Sequence, residues 1–183
     1  ADSLKKTNPD YEFVIGLCDK IDGSGVDVSK LQGFNLLQIH EIGIEGFDEM
    51  CDRYDITELN TAIKPFYIDY FFRTRKDIDS VIYFDPDIEI FDKLTGLEEG
   101  LAENNIILTP HFYTPIFDKM SRTEQQMFVN GIYNLGFLAV SRSEETDKFM
   151  HWWMTKLKTE CYMDIQNGMF VDQLYCNMVP LYF

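Results

Sequence analysis

The segment SVIYFDPD, residues 80–87, decides the predicted fold, because a short apolar run ends in two carboxylates separated by one proline. The run Val81–Phe84 is apolar at every position, which predicts a strand buried on both faces, as at the centre of a parallel sheet. Alternate side chains of an extended chain share a face about 7 Å apart, so Asp85 and Asp87 can face one ligand. Ligands of open α/β sheets bind beyond the carboxyl ends of strands, and hard cations prefer oxygen ligands. The pair is therefore a candidate site for a divalent cation.

Strand and helix patterns alternate on both sides of this segment, which predicts a layered α/β domain. Helical spacing of apolar residues extends from Gly46 to Phe72, and Pro65 within it predicts a kink or a restart. A loop is indicated by Asp22-Gly23-Ser24-Gly25. The other predicted strands are Tyr11–Cys18, Phe34–Ile39, Asn105–Thr109 and Asn134–Val140. The other predicted helices are Leu94–Ala102, Ser121–Asn130, Glu144–Glu160 and Phe170–Asn177.

Length and composition limit the possible functions. The 183 residues are 45% hydrophobic, which suits one domain with a full core. The formal net charge of −15 argues against a partner with a phosphate backbone and against an anionic membrane surface. It does not exclude a nucleotide bound through a metal, because a cation can bridge carboxylates and phosphates. No apolar run approaches the roughly 20 residues of a membrane-spanning helix.

The cysteines and the two ends of the chain add two expectations. The four cysteines are scattered without a Cys-x-x-Cys pair, so we expect reduced packing thiols and no zinc or redox motif. Such thiols favour a cytoplasmic location, either free or peripheral at the inner face of the membrane. Ser3–Lys6 has the pattern of a last helical turn, and Leu181–Phe183 is apolar to its end. We therefore expect native sequence to be missing before Ala1 and after Phe183.

The run Val81–Phe91 resembles the Asp-x-Asp segment of GT-A glycosyltransferases, and is most similar to family eight and its bacterial relatives. Three further segments match in the same order. Thr61–Phe66 resembles the helix that offers a basic residue to the donor, Tyr133–Phe137 the Phe-Asn-x-Gly strand, and Phe170–Asn177 the Asp-Gln-x-x-x-Asn helix. The resemblance covers essentially the whole chain. It implies a Rossmann-like GT-A fold, with a mixed but mostly parallel sheet flanked by helices, as one nucleotide-sugar-binding domain over residues 1–183 that is truncated at one or both ends.

The resemblance also implies a donor site. Asp87 would ligate Mn²⁺ or Mg²⁺ directly, and Asp85 would contact the donor ribose or share the metal. Lys64 would face the donor diphosphate or sugar, where the family more often has an arginine that can bind two oxygens at once. Asn134 and Gly136 would lie against the donor sugar, since a glycine lets the sugar approach the backbone.

On the acceptor side, the resemblance implies that Asp172 and Gln173 bind sugar hydroxyls as the catalytic pair. The chain departs from the family in one respect. Related enzymes supply a third metal ligand, commonly histidine, from a segment beyond the Asp-Gln helix, and this chain ends at Phe183 without one. We therefore expect the metal site within this chain to be incomplete.

Most of these residues also have a purely structural interpretation. Lys64 could be a solvated helix residue, Asn134 could cap a turn, and Gly136 could mark a bulge. Asp172 could be the N-cap of the last helix. His111, after a predicted strand, could be a ligand or a structural residue. Trp152 and Trp153 could form a sugar-stacking platform, but helical spacing favours one in the core and one at the surface.

The resemblance implies transfer of a sugar from a nucleoside-diphosphate sugar, with a UDP-sugar favoured, to a hydroxyl of a glycan or lipid-linked sugar, with retention of configuration. A non-catalytic nucleotide- or sugar-binding fragment is the first alternative. A metal-dependent nucleotidyltransferase is the second, although no Gly-rich loop with a basic residue is visible near the first strand. An EF-hand is excluded, because the sixth and twelfth positions counted from Asp85 are Ile90 and Gly96 instead of glycine and glutamate.

Overall fold

The computed structural model describes residues 1–21, 27–117 and 124–183. The predicted loop at residues 22–25 and the first three positions of the predicted helix Ser121–Asn130 lie outside these ranges. The strands are β1 Val14–Leu17, β2 Asn35–Gln38, β3 Ser80–Phe84, β4 Ile106–Pro110, β5 Tyr133–Ser141, β6 Met163–Asp164 and β7 Met169–Phe170. The helices are α1 Asp2–Thr7, α2 Ile39–Ile42, α3 Phe47–Arg53, α4 Ile56–Ala62, α5 Lys64–Thr74, α6 Thr95–Glu103, α7 Glu124–Asn130, α8 Glu144–Leu157, α9 Gln173–Cys176 and α10 Val179–Tyr182.

The predicted α/β class is confirmed, but the predicted mostly parallel sheet is wrong. In the described ranges, β3, β5 and β4 form an antiparallel sheet in that order, and β6 pairs antiparallel with β7. Among the strands of the described residues, only β1 and β2 pair in parallel. The strand at Ser80–Phe84 therefore runs antiparallel to its neighbour β5 and is not the centre of a parallel sheet. An apolar run reports that both faces of a strand are covered, and it carries no information about the direction of the partner strand.

Most elements lie where the hydrophobic spacing predicts them. The long helical pattern is divided into α3, α4 and α5, and Asp55 caps α4 by accepting hydrogen bonds from two backbone N–H groups of its first turn. Pro65 marks a restart, as expected. It lies in the first turn of α5, where its missing N–H costs no helical hydrogen bond.

The predicted helix Phe170–Asn177 is wrong in its first half. Met169 and Phe170 form β7 and pair with β6, so only the single turn of α9 is helical in this segment. Gly168 has a φ of 74° and Val171 a φ of 40°, and both values turn the chain away from a right-handed helix. In this segment the spacing of the apolar residues indicated which positions are buried, and it did not indicate a helix.

The core lies between the antiparallel sheet and the helices α5 and α8. Trp153 of α8 is fully buried and stacks on Phe149, with 5.3 Å between the ring centroids. Trp152 is only partly buried and meets Tyr175 edge to face. The two tryptophans therefore divide between core and periphery, as helical spacing predicts. No helix in the described ranges is long and apolar enough to cross a membrane.

Helix α5 is connected to the parallel pair β1–β2 and to the antiparallel sheet of β3, β5 and β4. In its second turn, the Tyr67 hydroxyl donates to the backbone oxygen of Leu17 at the end of β1, at 2.8 Å. At its C-terminal end, the guanidinium of Arg142, which follows β5, donates to the carbonyl oxygens of Phe72 (2.9 Å) and Arg75 (2.6 Å). Phe72 belongs to the last turn of α5 and Arg75 is the residue directly after the helix, where carbonyl groups lack helical donors, so Arg142 caps the helix.

Candidate functional site

A buried ammonium group lies at the centre of the candidate site. Lys64 Nζ donates to the backbone oxygen of Leu135 at 3.0 Å and lies 3.0 Å from Asp172 Oδ2 and 3.7 Å from Asp85 Oδ1. The side chains of Lys64 and Asp172 are 7% and 3% exposed, whereas that of Asp85 is 35% exposed. Residues far apart in sequence thus meet at one point, and Asp85 is the member that reaches solvent.

Four elements bring these groups together. Lys64 is the first residue of α5, Asp85 follows β3 directly, Leu135 belongs to β5, and Asp172 precedes α9. The antiparallel ladder continues past the end of β3, since the Asp85 N–H donates to the Gly136 oxygen at 2.8 Å. This bond fixes the Asp85 backbone against β5, the strand whose carbonyl also holds Lys64.

Charge balance at the site depends on Lys64. Burial alone would lower the pKa of its ammonium group, but Asp172 and Asp85 raise it above its ordinary value. Burial raises the pKa of the Asp172 carboxyl, and the Lys64 charge opposes that rise. Lys64 therefore stabilises a buried carboxylate. It is not a solvated helix residue, which was the structural alternative considered for it.

Tyr83 fixes the orientation of Asp85. Its hydroxyl donates to Asp85 Oδ1 at 2.5 Å, and its ring lies under Lys64 Nζ, 5.2 Å from the ring centroid. Burial, followed by this hydrogen bond, raises the pKa of Tyr83, so the phenol keeps its proton and remains the donor. Sequence reasoning missed Tyr83, although residues two apart on a strand share a face, and that spacing was a usable signal.

Gly136 and Asn134 lie beside the other oxygen of Asp85. A Cβ atom on Gly136 would stand 3.2 Å from Asp85 Oδ2 and 3.1 Å from Asn134 Oδ1. Asn134 is exposed, and its Oδ1 accepts a hydrogen bond from the Gly136 N–H at 2.9 Å. Glycine therefore keeps the space next to the carboxylate open, and Asn134 has both the local turn role and a position at the rim of the site.

Asp87, two residues after Asp85, is exposed. In the described part of the chain no group of three histidine, cysteine or acidic side chains is arranged to hold a metal ion. Two carboxylates nevertheless fit Mg²⁺ or Mn²⁺ as these ions bind beside substrate phosphates, where one or two carboxylates share the ion with phosphate oxygens and water. The residues present thus suit a cation that arrives with a phosphorylated ligand.

Asp172 and Gln173, adjacent in sequence, face different partners. Asp172 stands at the N-cap position of α9 without a capping hydrogen bond from its side chain, so capping does not explain it. It faces Lys64 instead. Gln173 Nε2 donates to the Asn130 oxygen at 2.8 Å and lies 3.1 Å from His111 Nε2. His111 therefore belongs to the surroundings of Gln173, a role that its sequence position alone did not indicate.

The arrangement unites members of all four motif segments. Lys64, Asp85, Gly136 and Asp172 come from segments separated by 21, 51 and 36 residues, and their side chains or backbone lie within one connected set of contacts. Comparison of the chain with protein-family models, curated proteins and solved structures found no match in any of the three.

Proposed function

We propose that the chain is a metal-dependent glycosyltransferase that moves a sugar from a nucleoside-diphosphate sugar, with a UDP-sugar favoured, to a hydroxyl of a glycan or lipid-linked sugar. One observation carries the proposal. Lys64 pairs with the buried Asp172 and with the partly exposed Asp85 beside Gly136, so the segments that resemble family motifs contribute to a single site. Chance matches scattered over a sequence have no reason to meet in space.

The donor would bind at the exposed side of this cluster. Asp85 and Asp87 would hold Mn²⁺ or Mg²⁺, and the bound ion would stabilise the negative charge of the departing diphosphate as a Lewis acid. The Tyr83 phenol engages Asp85 Oδ1, which leaves Oδ2 directed toward the space at Gly136. Gly136 would let the donor sugar approach the backbone of β5, and Asn134 would bind it at the rim.

Lys64 would act indirectly. Its side chain is 7% exposed, donates to the Leu135 oxygen and pairs with Asp172 and Asp85. In this conformation it therefore does not reach a donor phosphate. Its positive charge would hold the two carboxylates in place and offset their repulsion. This role differs from the direct donor contact that the resemblance implies for a basic residue in this segment.

The acceptor would bind beside Gln173. Asp172 is buried and paired with Lys64, so Gln173, which is only partly buried, is the member of the pair that can meet a sugar hydroxyl. An amide offers both a donor and an acceptor to a hydroxyl group. Retention of configuration is the stereochemical outcome that the resemblance implies.

The first test is calorimetric titration of UDP into the chain with and without Mn²⁺. We expect Mn²⁺-dependent binding that weakens by at least about tenfold, equal to about 1.4 kcal/mol, in Asp85→Asn/Asp87→Asn. Glu99→Gln, which alters an exposed acid on α6, is the matched control and should bind as the unmodified chain does. Equal affinity in the double variant would remove the basis of the proposal.

Binding and catalysis are then separated by hydrolysis of a panel of nucleotide sugars with Mn²⁺. A competent site releases free sugar slowly even without an acceptor, whereas a non-catalytic binding domain binds the nucleotide and releases none. Formation of a nucleotide sugar from a nucleoside triphosphate and a sugar phosphate would instead indicate a nucleotidyltransferase.

A further inference from the structure

His111 lies directly after β4, next to the proposed acceptor residue Gln173. Its backbone N–H donates to the Ile132 oxygen at 2.9 Å, which fixes the start of the loop after β4. Its ring Nε2 lies 3.1 Å from Gln173 Nε2. Two nitrogen atoms at this distance form a hydrogen bond only when one donates and the other accepts.

The backbone oxygen of Asn130, which also contacts the Gln173 amide, decides which of the two nitrogen atoms donates. Gln173 Nε2 is also 2.8 Å from the backbone oxygen of Asn130, and a carbonyl oxygen only accepts. The amide nitrogen, and not the amide oxygen, must therefore face Asn130. Its second N–H is then directed at His111, so His111 Nε2 accepts and the ring is neutral, with its proton on Nδ1.

Both N–H groups of the Gln173 amide are thereby used within the protein. The carbonyl oxygen Oε1 is the polar atom of the amide that neither Asn130 nor His111 engages. The backbone at Gly131 supports this placement, because it has a φ of 109° and a Cβ atom there would lie 3.0 Å from Gln173 Cγ. Any other residue at position 131 would push the Gln173 side chain away from its two partners.

We propose, on the basis of the proposed function, that His111 is a positioning residue for Gln173. His111 and the Asn130 oxygen each accept one amide N–H, and together they hold the amide in a single orientation. Gln173 then presents an oxygen atom, a pure hydrogen-bond acceptor, to a sugar hydroxyl. Without His111, only the bond to Asn130 remains of these two hydrogen bonds, so the amide can tilt and move Oε1 away from the position that accepts the hydroxyl proton.

The kinetic test compares two substitutions of His111. Phenylalanine fills the space of the ring without an acceptor, whereas glutamine can place an oxygen near the position of Nε2. We expect His111→Phe to slow sugar transfer by about 10- to 100-fold, the range for a displaced catalytic contact, while Mn²⁺-dependent UDP affinity is unchanged. His111→Gln should restore transfer to within about threefold, and exposed His151→Gln is the control.

Transfer by His111→Phe at the unmodified rate would overturn the proposal, and so would equal impairment in His111→Phe and His111→Gln. A second readout does not need turnover. Long-range ¹H–¹⁵N NMR of the histidine rings, assigned with His111→Gln, should show His111 neutral with its proton on Nδ1 at about pH 7. A proton on Nε2 would refute the amide geometry.

The two readouts also separate this inference from the proposed function. If the unmodified chain transfers no sugar but His111 has the expected tautomer, the proposed function fails while the fixed amide stands. If transfer occurs but the tautomer is the other one, the proposed function stands and the role of His111 falls.

Discussion

Replacing Lys64 by methionine keeps most of the side-chain volume and removes the charge that two carboxylates share. Lys64 and Asp172 are 7% and 3% exposed and 3.0 Å apart, so water cannot replace the lost partner. Asp85, at 3.7 Å and 35% exposed, loses less because solvent reaches it. The Leu135 oxygen loses its hydrogen bond from Lys64 as well.

The expected cost follows from the depth of the pair. Two unit charges 3.0 Å apart attract by about 5.5 kcal/mol at an effective dielectric constant of about 20. Measured losses on removing one partner of a buried pair are about 3–5 kcal/mol. We expect Lys64→Met to lower the free energy of unfolding by about that amount, a large share of the roughly 5–15 kcal/mol that stabilises a typical domain.

The stability lost in Lys64→Met should be larger at high pH than at low pH. Burial already raises the pKa of Asp172 above its ordinary value of 3.8, and removal of Lys64 raises it further. A carboxyl whose folded pKa exceeds its unfolded pKa holds its proton longer in the folded state, so stability falls as pH rises through the interval between the two. Lys64→Met should therefore be less damaging at about pH 5 than at about pH 7.5.

Urea-induced unfolding followed by circular dichroism, at both pH values, measures these quantities. A double-mutant cycle is completed with Asp172→Asn and with Lys64→Met/Asp172→Asn. The double variant should lose about 2 kcal/mol less stability than the sum of the losses in the two single variants. Lys93→Met, at an exposed lysine, should stay within about 0.5 kcal/mol of the unmodified chain. Additive costs, or a loss below about 1 kcal/mol for Lys64→Met, would refute the buried ion pair.

Three further predictions concern the packing around the site and the core. Gly136→Ala places a methyl group 3.2 Å from Asp85 Oδ2. It should weaken Mn²⁺-dependent UDP binding about tenfold in calorimetry, with a loss of stability of only about 1 kcal/mol. Unchanged affinity would mean that no ligand uses this space. Trp153→Ala empties a fully buried position and should cost about 3–5 kcal/mol in urea unfolding; a much smaller loss would contradict its place in the core. Iodoacetamide should label exposed Cys51 first, whereas buried Cys161, whose pKa burial raises to about 12, should react only on unfolding; early labelling of Cys161 in peptide mass spectrometry would show that its surroundings are open.

The local structure was largely predictable from the spacing of apolar residues and from caps. Ser80–Phe84 and the restart at Pro65 are determined by contacts within a few residues, which a sequence pattern reports directly. Strand direction is different, because it depends on which distant segment supplies the partner. The antiparallel pairing of β3 with β5 joins residues 53 to 61 positions apart, and no local pattern encodes it.

The candidate site shows the same division. The ordered motifs identified Asp85, Asp172 and Lys64 as members of one site, and these side chains do lie together. The depth of Lys64 was not predictable, because a lysine in a helix normally faces water and only its tertiary neighbours exclude water here. The contact between Gln173 and His111 was not predictable either, because it joins residues 62 positions apart whose proximity depends on the turn at Gly131.

The anchoring of α5 has a consequence for hydrogen exchange. A helix normally loses protected amides from its ends inward, because the end turns open without disturbing the rest. At α5 the first residue, Lys64, is bound to two buried partners, and the last turn is capped by Arg142. Fraying from either end would require breaking these contacts, so the amides of α5 should exchange with solvent only when the surrounding sheet and the candidate site open together.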